Sequence, residues 1–457
     1  MLRVAVIGSG PSGVYTAQSL IEQQAVPDIE VYVLDRLPCP YGLVRYGVAP
    51  DHEKIKSLQN NLRMVLENPR VHFLGNVEAG APGLGVEELR EIFDAVVFCV
   101  GAATDRHLGI PGEELPGSHP ATEFVAWYSA HPDAAAVRFT LAARSAVVIG
   151  VGNVAVDVVR MLARGAAELA ATDMPQGPLG ALADSRVEDV WMVGRRGPSQ
   201  AKFTTKELRE LGSLPDTEVC VRPEELALDP AYRDPGELPA VARRNVAVLR
   251  GWAERTAAGP AAAAPAARTR RRIHLRFFLR PAEVLGDASG VRAVRFERTA
   301  PDGRGGVVGT GEFEDIQGQL VLRSVGYRGT PQPGLPFDEA TGTVPHLAGR
   351  VLRGGAPLPG VYVAGWIKRG PTGVIGTNRP CAKETASSLL ADARMLAERH
   401  TAGDPVAALA RAGQRPVPWP GWLAIEAAEA AWGHGLGRGT VKLPDWAGLL
   451  AAARANG

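Results

Sequence analysis

The chain has 457 residues, of which 46% are hydrophobic and 22% charged, and a formal net charge of +1. Its length and apolar content predict more than one domain, while the near-zero charge argues against a chain that coats nucleic acid or an anionic membrane. No apolar run suits a membrane span and no leader is expected before the first strand, so we expect a cytoplasmic enzyme. The four cysteines form no C-x-x-C pair, so we expect neither a cysteine-held metal nor a redox disulfide.

The chain opens with a predicted strand, a glycine-rich turn and a predicted helix. An apolar run over 4–7 leads into Gly8-Ser9-Gly10-Pro11-Ser12-Gly13, and the helix follows over 14–23. In a dinucleotide site the first glycine allows the tight turn, the second admits a pyrophosphate and the third lets the helix pack on the strand. The start of the helix then offers backbone N–H groups to the phosphates.

A second predicted strand, over 29–34, ends at Asp35, which lies 22 residues after the last glycine of the turn. An acid at this place suits a ribose with free hydroxyl groups. This context predicts a bound dinucleotide, and a plain strand–helix–strand unit is the alternative.

Residues 36–52 form a loop rich in proline and glycine directly after this strand. Long loops at such places are more often functional than idle. Asp51 can cap a helix whose apolar residues recur at helical spacing from residue 55 to 66, which would place His52 at the positive end of the helix dipole. A solvated histidine in a capping turn is the alternative interpretation of His52.

Two more strands are predicted before the chain leaves this domain. The first covers 71–74, and the second, over 94–101, is strongly apolar, as expected for a parallel strand buried on both faces. Turn residues are frequent over 101–120, which indicates a crossing into another domain.

A second strand and glycine turn then repeat the opening pattern. A strand over 146–149 leads into Gly150-Val151-Gly152-Asn153-Val154-Ala155 and a helix that runs to 163. The next strand, 190–193, is followed by Arg195 and Arg196 where the first unit has an acid. Guanidinium groups there can pair with a 2′-phosphate, so we predict a preference for NADP(H) over NAD(H); ordinary surface arginines are the alternative.

The rest of the chain carries weaker patterns. Its predicted helices and strands cover 204–212, 238–255, 273–279, 291–297, 319–325, 360–366 and a long helix that ends near 399. The charged residues of the first of these helices are expected to form a solvated face, and the alanine- and proline-rich stretch 256–267 an exposed insertion. We expect a return crossing near 326 and no chemistry after 401.

The segment 367–377 between the last strand and the long helix is rich in small residues. Small residues at a helix start let a ligand ring approach backbone N–H groups, and the helix dipole there favours negative charge. Trp366, just before this segment, could equally be a packing tryptophan.

Five stretches taken together resemble adrenodoxin reductase and its bacterial NADPH-ferredoxin reductase relatives. They cover 8–13, 42–52, 152–155, 193–198 and 365–378, of which the second and last are specific. The resemblance extends over nearly the whole chain. It implies an α/β fold with two Rossmann-like dinucleotide-binding domains, in which an NADP domain (107–329) is inserted into an FAD domain (1–106 and 330–457).

The resemblance also implies which residues meet each cofactor. FAD would contact Ser12, Asp35, Leu43, Val77, Trp366, Gly373, Val374 and Ile375. NADP would contact Val151, Gly152, Asn153, Val154, Arg195, Arg196, Glu207 and Gly373. His52 and Glu210 are implied near the flavin and the nicotinamide and are the catalytic candidates, as residues that organise the site.

Three residues depart from the family pattern. Asp35 stands where glutamate is also usual, and Glu53 replaces a common proline. Val151 replaces a polar glutamine or asparagine, so we expect weaker NADP binding without its loss.

The implied function is an NADPH-dependent flavoprotein reductase that passes single electrons to an acidic ferredoxin-type iron–sulfur protein. The candidate docking charges are Arg243, Arg244, Arg250, Arg270, Arg271 and Arg272, and solubilising charge is their alternative interpretation. Two other functions stay open: an NADPH-dependent reductase of quinones or dioxygen, and a non-catalytic sensor of NADP(H).

Overall fold

The computed structural model describes residues 1–257, 271–397 and 403–455. The chain divides into two compact units. The first unit comprises Met1–Thr104, Ser129–Ala135 and Gly326–Gly457, and the second comprises Asp105–Tyr128 and Ala136–Val325. The second unit is therefore inserted in the sequence of the first.

Within the described ranges the strands are β1 (Leu2–Ile7), β2 (Ile29–Leu34), β3 (Val71–Gly75), β4 (Ala95–Phe98), β5 (Thr104–Asp105), β6 (Ser118–Pro120), β7 (Ser145–Ile149), β8 (Asp189–Val193), β9 (Thr217–Val221), β10 (Arg271–Arg276), β11 (Leu279–Asp287), β12 (Gly290–Pro301), β13 (Val307–Gln317), β14 (Leu320–Arg323), β15 (Tyr327–Arg328), β16 (His346–Leu347), β17 (Arg350–Arg353), β18 (Ala356–Val363) and β19 (Val417–Pro418).

The α-helices are α1 (Pro11–Glu22), α2 (Leu43–Tyr46), α3 (Glu53–Lys56), α4 (Leu58–Leu66), α5 (Val86–Ile92), α6 (Ala121–Tyr128), α7 (Asn153–Ala163), α8 (Ala166–Leu169), α9 (Gln176–Ala183), α10 (Thr205–Leu211), α11 (Pro223–Ala227), α12 (Pro230–Arg233), α13 (Ala240–Ala257), α14 (Trp366–Arg369), α15 (Asn378–Ala391), α16 (Ala393–Ala397), α17 (Pro405–Arg411), α18 (Trp419–Gly435) and α19 (Trp446–Arg454). Over the parts of the chain that are described, none of them combines the length and apolar character needed to cross a bilayer.

The first unit is built on a sheet with the strand order β16-β17-β18-β4-β1-β2-β3-β19. Its five central strands, β18 to β3 in that order, are parallel. At the edges β17 pairs antiparallel with both β18 and β16, and β19 pairs antiparallel with β3. Side chains alternate across a strand, so Val4 and Val6 pack into one core with α1 and α15, whereas Ala5 and Ile7 pack into a second core on the opposite face. Burial on both faces explains why these strands are mostly apolar.

The second unit has a parallel sheet with the order β6-β14-β7-β8-β10-β9 and a separate antiparallel sheet, β11-β12-β13. Val147, Ile149 and Val321 of the parallel sheet pack in one core with Val294 and Phe296 of the antiparallel one. Both units thus present the carboxyl ends of parallel strands, where ligands bind in open α/β sheets.

Several predicted boundaries differ from the observed ones. The predicted strand over 360–366 ends at Val363, and Trp366 begins α14 instead. The predicted cap at Asp51 is wrong: His52 is the N-cap of a single-turn helix, α3, which is followed by a separate helix, α4, that begins after Ser57. The long helix before 399 is divided at Asp392 into α15 and α16. The expected insertion lies mostly outside the described residues, as does Arg270.

The segment Ser129–Ala135 belongs to the first unit, although it falls inside the range predicted for the NADP domain. Polar contacts explain this difference. Lys442 Nζ donates to the carbonyl oxygen of Ser129 at 3.2 Å, Trp446 Nε1 donates to Asp133 Oδ1 at 2.9 Å, and Arg36 pairs with the same carboxylate. These partners are too distant in sequence for local patterns to indicate them.

The two glycine turns share one backbone arrangement. Gly8 and Gly150 both have positive φ angles, of 106° and 141°. A Cβ atom on Gly8 would lie 2.7 Å from the carbonyl oxygen of Cys99, and one on Gly150 would overlap the carbonyl oxygen of Ser324. Each turn therefore lies directly against the chain that leaves a neighbouring parallel strand, which excludes side chains at the first position.

The third position of the turns differs between the units. A Cβ atom on Gly13 would overlap the carbonyl oxygen of Gly8, whereas the second unit has Ala155 at this place, fully buried. The helix therefore approaches its turn more closely in the first unit than in the second.

We expect Gly13→Ala to lower the free energy of unfolding by about 3 kcal/mol or more, because the backbone must move to admit the methyl group. The reverse change in the second unit, Ala155→Gly, removes a methyl group and some helix propensity and should cost about 1–2 kcal/mol. Urea unfolding followed by tryptophan fluorescence measures both variants. A loss for Gly13→Ala no larger than that for Ala155→Gly would contradict the close-packing argument.

Candidate functional sites in the two units

Asp35 ties the end of β2 to the first glycine turn. Its Oδ2 atom accepts hydrogen bonds from the backbone N–H and the hydroxyl of Ser9, at 2.8 and 2.5 Å, and its Oδ1 atom accepts one from the N–H of Leu37 at 2.9 Å. Burial raises the pKa of the Asp35 carboxyl above its usual value, against the opposing effect of these hydrogen bonds. The carboxylate therefore shapes the turn as well as being a candidate acceptor for ribose hydroxyls.

Val77, which the family resemblance implied as an FAD contact, follows β3. It is buried, and its N–H donates to the carbonyl oxygen of Asp35 at 2.9 Å. Ser9, Asp35 and Val77 thus lie together where β1, β2 and β3 end, as expected for the adenosine half of a dinucleotide site.

The backbone of Gly42 lies against the first glycine turn. The N–H of Tyr41 donates to the carbonyl oxygen of Ser9 at 3.1 Å, and a Cβ atom on Gly42 would lie only 2.9 Å from the Cα atom of Gly10. Leu43, exposed, begins α2 immediately after Gly42. The result is a wall of backbone beside the start of α1, where Gly10 provides no side-chain cap to the helix N–H groups.

Trp366 lies in the segment that packs on the same turn. A Cβ atom on the preceding residue, Gly365, would overlap the hydroxyl of the buried Ser12. The centroid of the Trp366 ring lies 5.5 Å from that of the Tyr327 ring, so the tryptophan packs against an aromatic side chain. Its Nε1 atom, however, is buried and has no hydrogen-bond partner among the described residues, which leaves a donor for a ligand.

The loop before α15 is held in a compact shape. The hydroxyl of Thr377 accepts a hydrogen bond from the N–H of Val374 at 3.0 Å, and the N–H of Thr377 returns one to the carbonyl oxygen of Val374 at 2.9 Å. Gly373 has a φ of 82°, and a Cβ atom there would lie 2.5 Å from the Thr377 hydroxyl oxygen. Ile375 begins the 3-10 turn that leads into α15. The backbone alone thus favours glycine at 373.

In the second unit the turn before α7 presents a more open backbone. A Cβ atom on Gly152 would meet nothing within 4 Å, and Asn153 and Val154 are half-buried. The side-chain oxygen of Asn153 accepts a hydrogen bond from the N–H of Thr204 at 2.8 Å, which fixes the start of α10. Val151 packs on Gly194, where a Cβ atom would lie 2.9 Å from its Cγ1 atom, so its side chain serves packing.

Arg195 and Arg196 follow β8 with a fixed backbone and uncommitted side chains. The carbonyl oxygen of Arg195 accepts a hydrogen bond from the Thr299 hydroxyl at 2.9 Å, and that of Arg196 accepts one from the N–H of Phe278 at 3.3 Å. Neither guanidinium makes an ion pair with any residue that the structure describes. Two available guanidinium groups at this place suit a 2′-phosphate.

Glu207 and Glu210 meet an arginine that the sequence analysis missed. Arg160 of α7 is fully buried; its Nη2 atom lies 2.8 Å from Asp157, and its Nη1 atom lies 3.3 Å from Glu210 Oε2 and 3.7 Å from Glu207 Oε2. The expectation of a solvated face on α10 is therefore wrong for Glu207, which is buried. The available signal was a single arginine within the apolar face of α7, because a buried arginine needs acidic partners.

The two catalytic candidates occupy different units. His52 is buried at the start of α3 in the first unit, and Glu210 is half-buried on α10 in the second. Their roles in organising the site stay predictions.

Comparison with known proteins decides the family. The pyridine nucleotide-disulphide oxidoreductase family matches residues 2–192. The chain is 44% identical over 467 residues to NADPH-ferredoxin reductase FprA of Mycobacterium tuberculosis, covering 98% of each chain, and 39% identical over 468 residues to the mitochondrial NADPH:adrenodoxin oxidoreductase of Arabidopsis thaliana, covering 99% of this chain and 95% of the relative. A solved structure of M. tuberculosis FprA in complex with NADPH aligns with a TM-score of 0.90 at 43% identity, over 99% of both chains. The chain belongs to the NADPH-ferredoxin and adrenodoxin reductase family.

This family consists of oxidoreductases whose cofactors are FAD and NADP(H). The residues of the first unit fit FAD, since the contact between Gly42 and Gly10 leaves a backbone surface for a pyrophosphate and Trp366 Nε1 offers an unused buried donor. The second unit fits NADP(H), with the open turn at Gly152 followed by two uncommitted arginines.

Replacing Arg195 and Arg196 together by glutamine should raise KM for NADPH at least about tenfold and leave KM for NADH nearly unchanged, because NADH lacks the 2′-phosphate. Steady-state kinetics with both nucleotides measure this difference. Arg209→Gln, an exposed arginine of α10, is the matched control and should change neither value. Equal effects of the double substitution on the two nucleotides would contradict the assignment to the 2′-phosphate.

Proposed function

We propose that this protein is a cytoplasmic NADPH-dependent reductase of a ferredoxin-type iron–sulfur protein, with FAD bound by the first unit and NADP(H) by the second. One observation carries the assignment of the nucleotides. Two turns of the same geometry are followed by opposite chemistry, the Asp35 carboxylate in one unit and the Arg195 and Arg196 guanidinium groups in the other. One site is suited to a ribose with free hydroxyl groups and the other to a ribose with a 2′-phosphate, so the chain is suited to hold two different dinucleotides.

Bound FAD would supply the redox chemistry, since it would accept a hydride from NADPH and release the electrons one at a time. The residues bind and orient the cofactors. Asp35 would accept hydrogen bonds from the ribose of FAD, the turn at 8–13 would receive its pyrophosphate, and the start of α15 would favour negative charge. Arg195 and Arg196 would hold the 2′-phosphate of NADP(H).

His52 and Glu210 are proposed to organise the site and to exchange protons with solvent, since hydride transfer needs no general base. Arg160 supports the organising role of Glu210, because its buried guanidinium lies 3.3 Å from Glu210 Oε2 and restricts that side chain. The free thiols of Cys39, Cys99 and Cys381, all buried, and Cys220 suit a reducing compartment.

An acidic partner is part of the proposal, and the structure reduces the set of docking candidates. Arg250 donates to the carbonyl oxygen of Tyr232, Arg271 donates to that of Arg164, and Arg272 pairs with Asp189. These three arginines therefore serve the second unit itself. Arg243 and Arg244 of α13 are both exposed, but Arg243 Nη1 also donates to a carbonyl oxygen of the second unit, that of Gly236, at 3.5 Å. Arg244 is therefore the strongest docking candidate among the described residues.

Anaerobic stopped-flow spectroscopy of the purified protein tests the reductase. NADPH should bleach the flavin absorbance far faster than NADH does, and a ferredoxin should restore it. Restoration by quinone or dioxygen but not by ferredoxin would support the alternative acceptor and overturn the partner assignment. A protein that is not bleached by NADPH would favour the non-catalytic sensor.

Salt tests the acidic partner separately. Ferredoxin reduction should fall steeply between 50 and about 500 mM salt, because exposed charges are screened within about 10 Å at 0.1 M, while reduction of a small neutral dye should stay constant. Equal salt dependence for both acceptors would remove the docking proposal and leave the nucleotide sites unaffected.

A further inference from the structure

A buried cluster of charged side chains joins α2 to the C-terminal part of the first unit. Arg45, Glu429 and Lys442 are 5%, 1% and 2% exposed. Arg45 Nη2 donates to Glu429 Oε1 at 2.5 Å, and Lys442 Nζ donates to the carbonyl oxygen of Arg45 at 2.7 Å. Fully buried charged side chains are rare, because removing them from water costs free energy. These three are brought together from positions nearly 400 residues apart in the sequence, which suggests a specific role for the cluster.

The cluster is tightly enclosed. The Arg45 guanidinium lies 5.0 Å from the ring centroids of both Tyr46 and Trp422. Glu429 Oε1 also accepts a hydrogen bond from the N–H of Leu443 at 2.9 Å. These contacts hold the side chain of Arg45, and the hydrogen bond from Lys442 to the Arg45 carbonyl oxygen holds its backbone. Such a residue has little freedom to move relative to α18.

The other end of α2 meets the first glycine turn. The N–H of Arg45 donates to the carbonyl oxygen of Gly42 at 3.0 Å, so the two residues are separated by one helical turn. Gly42 in turn lies against Gly10, and the N–H of Tyr41 donates to the carbonyl oxygen of Ser9. A displacement of Arg45 would therefore be transmitted directly to the backbone surface beside the turn.

We propose that Arg45, Glu429 and Lys442 are positioning residues for FAD. They fix α2 so that Gly42 stays against Gly10, and this contact keeps the shape of the surface that receives the pyrophosphate. The inference rests on the proposed FAD site. It also assigns a part in cofactor retention to the C-terminal helices, in which the sequence analysis predicted no chemistry.

The alternative is that the cluster contributes to folding stability alone, as a buried ion pair can. The second unit offers a control for this alternative. Glu225 and Arg276 form another buried pair, with both side chains 2% exposed and 2.7 Å apart, in the second unit. Glu225→Gln removes one of the two carboxylates that Arg276 pairs with, since Glu314 accepts from its Nη1 and Nη2 atoms at 2.9 Å, whereas Glu429→Gln removes the carboxylate that pairs with Arg45. Of the two pairs, the first holds α2.

The test is the rate at which the full-length protein releases FAD, followed by the recovery of free-flavin fluorescence after dilution. Glu429→Gln should accelerate release at least tenfold over the wild type, whereas Glu225→Gln should leave the rate unchanged. Circular dichroism checks that both variants are folded at the assay temperature. With saturating FAD, KM for NADPH of Glu429→Gln should equal that of the wild type, because the second unit is untouched.

A wild-type release rate in Glu429→Gln, or equal acceleration in both variants, would overturn the positioning role. If Glu429→Gln does not fold, Lys442→Met decides by the same criterion, since it removes the donor to the Arg45 carbonyl oxygen and keeps the Arg45–Glu429 pair. A wild-type protein that neither carries nor takes up FAD would overturn the proposed function itself. The two failures are therefore distinguished by the wild type alone.

Discussion

Close contact between backbones at the first glycine turn is the constraint on which the first unit depends. Gly13 packs on Gly8 without room for a methyl group, and Gly42 approaches Gly10 to the limit of contact. These contacts bring the start of α1 and the start of α2 to the end of β1, and the Asp35 carboxylate connects the turn to β2. The helix, the strand and the loop can meet there because the residues at their contacts are glycines, which have no side chain. The absence of side chains also makes the backbone surface accessible to a phosphate group.

The second unit reaches a similar site with looser packing. Its helix accepts Ala155 where the first unit requires glycine, and the middle of the turn faces open space. The difference in chemistry comes from the next strand, which is followed by two arginines instead of an acid. One backbone design therefore serves two nucleotides, because recognition of the ribose depends on one or two side chains beyond the turn, while binding of the pyrophosphate depends on backbone N–H groups common to both.

Buried charges organise both units in ways that local sequence does not indicate. Arg160 lies on the apolar face of α7 and meets the carboxylates of α10, and Arg45 lies in the short helix α2 and meets Glu429. A buried guanidinium is stable only with such partners, so each arginine determines which element must pack beside it. The same dependence explains why Ser129–Ala135 belongs to the first unit, where Lys442 and Trp446 provide its polar contacts.

The sequence by itself determined the parallel strands, both glycine turns, the acid and the arginines that follow them, and the family. These features are local, because strand burial, tight turns and ribose recognition each require particular residue types within a few positions. Only the tertiary structure decided the end of β18 before Trp366, the burial of Glu207 and the partners of Arg45. Those outcomes depend on atoms contributed by segments tens to hundreds of residues away, and no periodicity or spacing in the chain encodes which segments will meet.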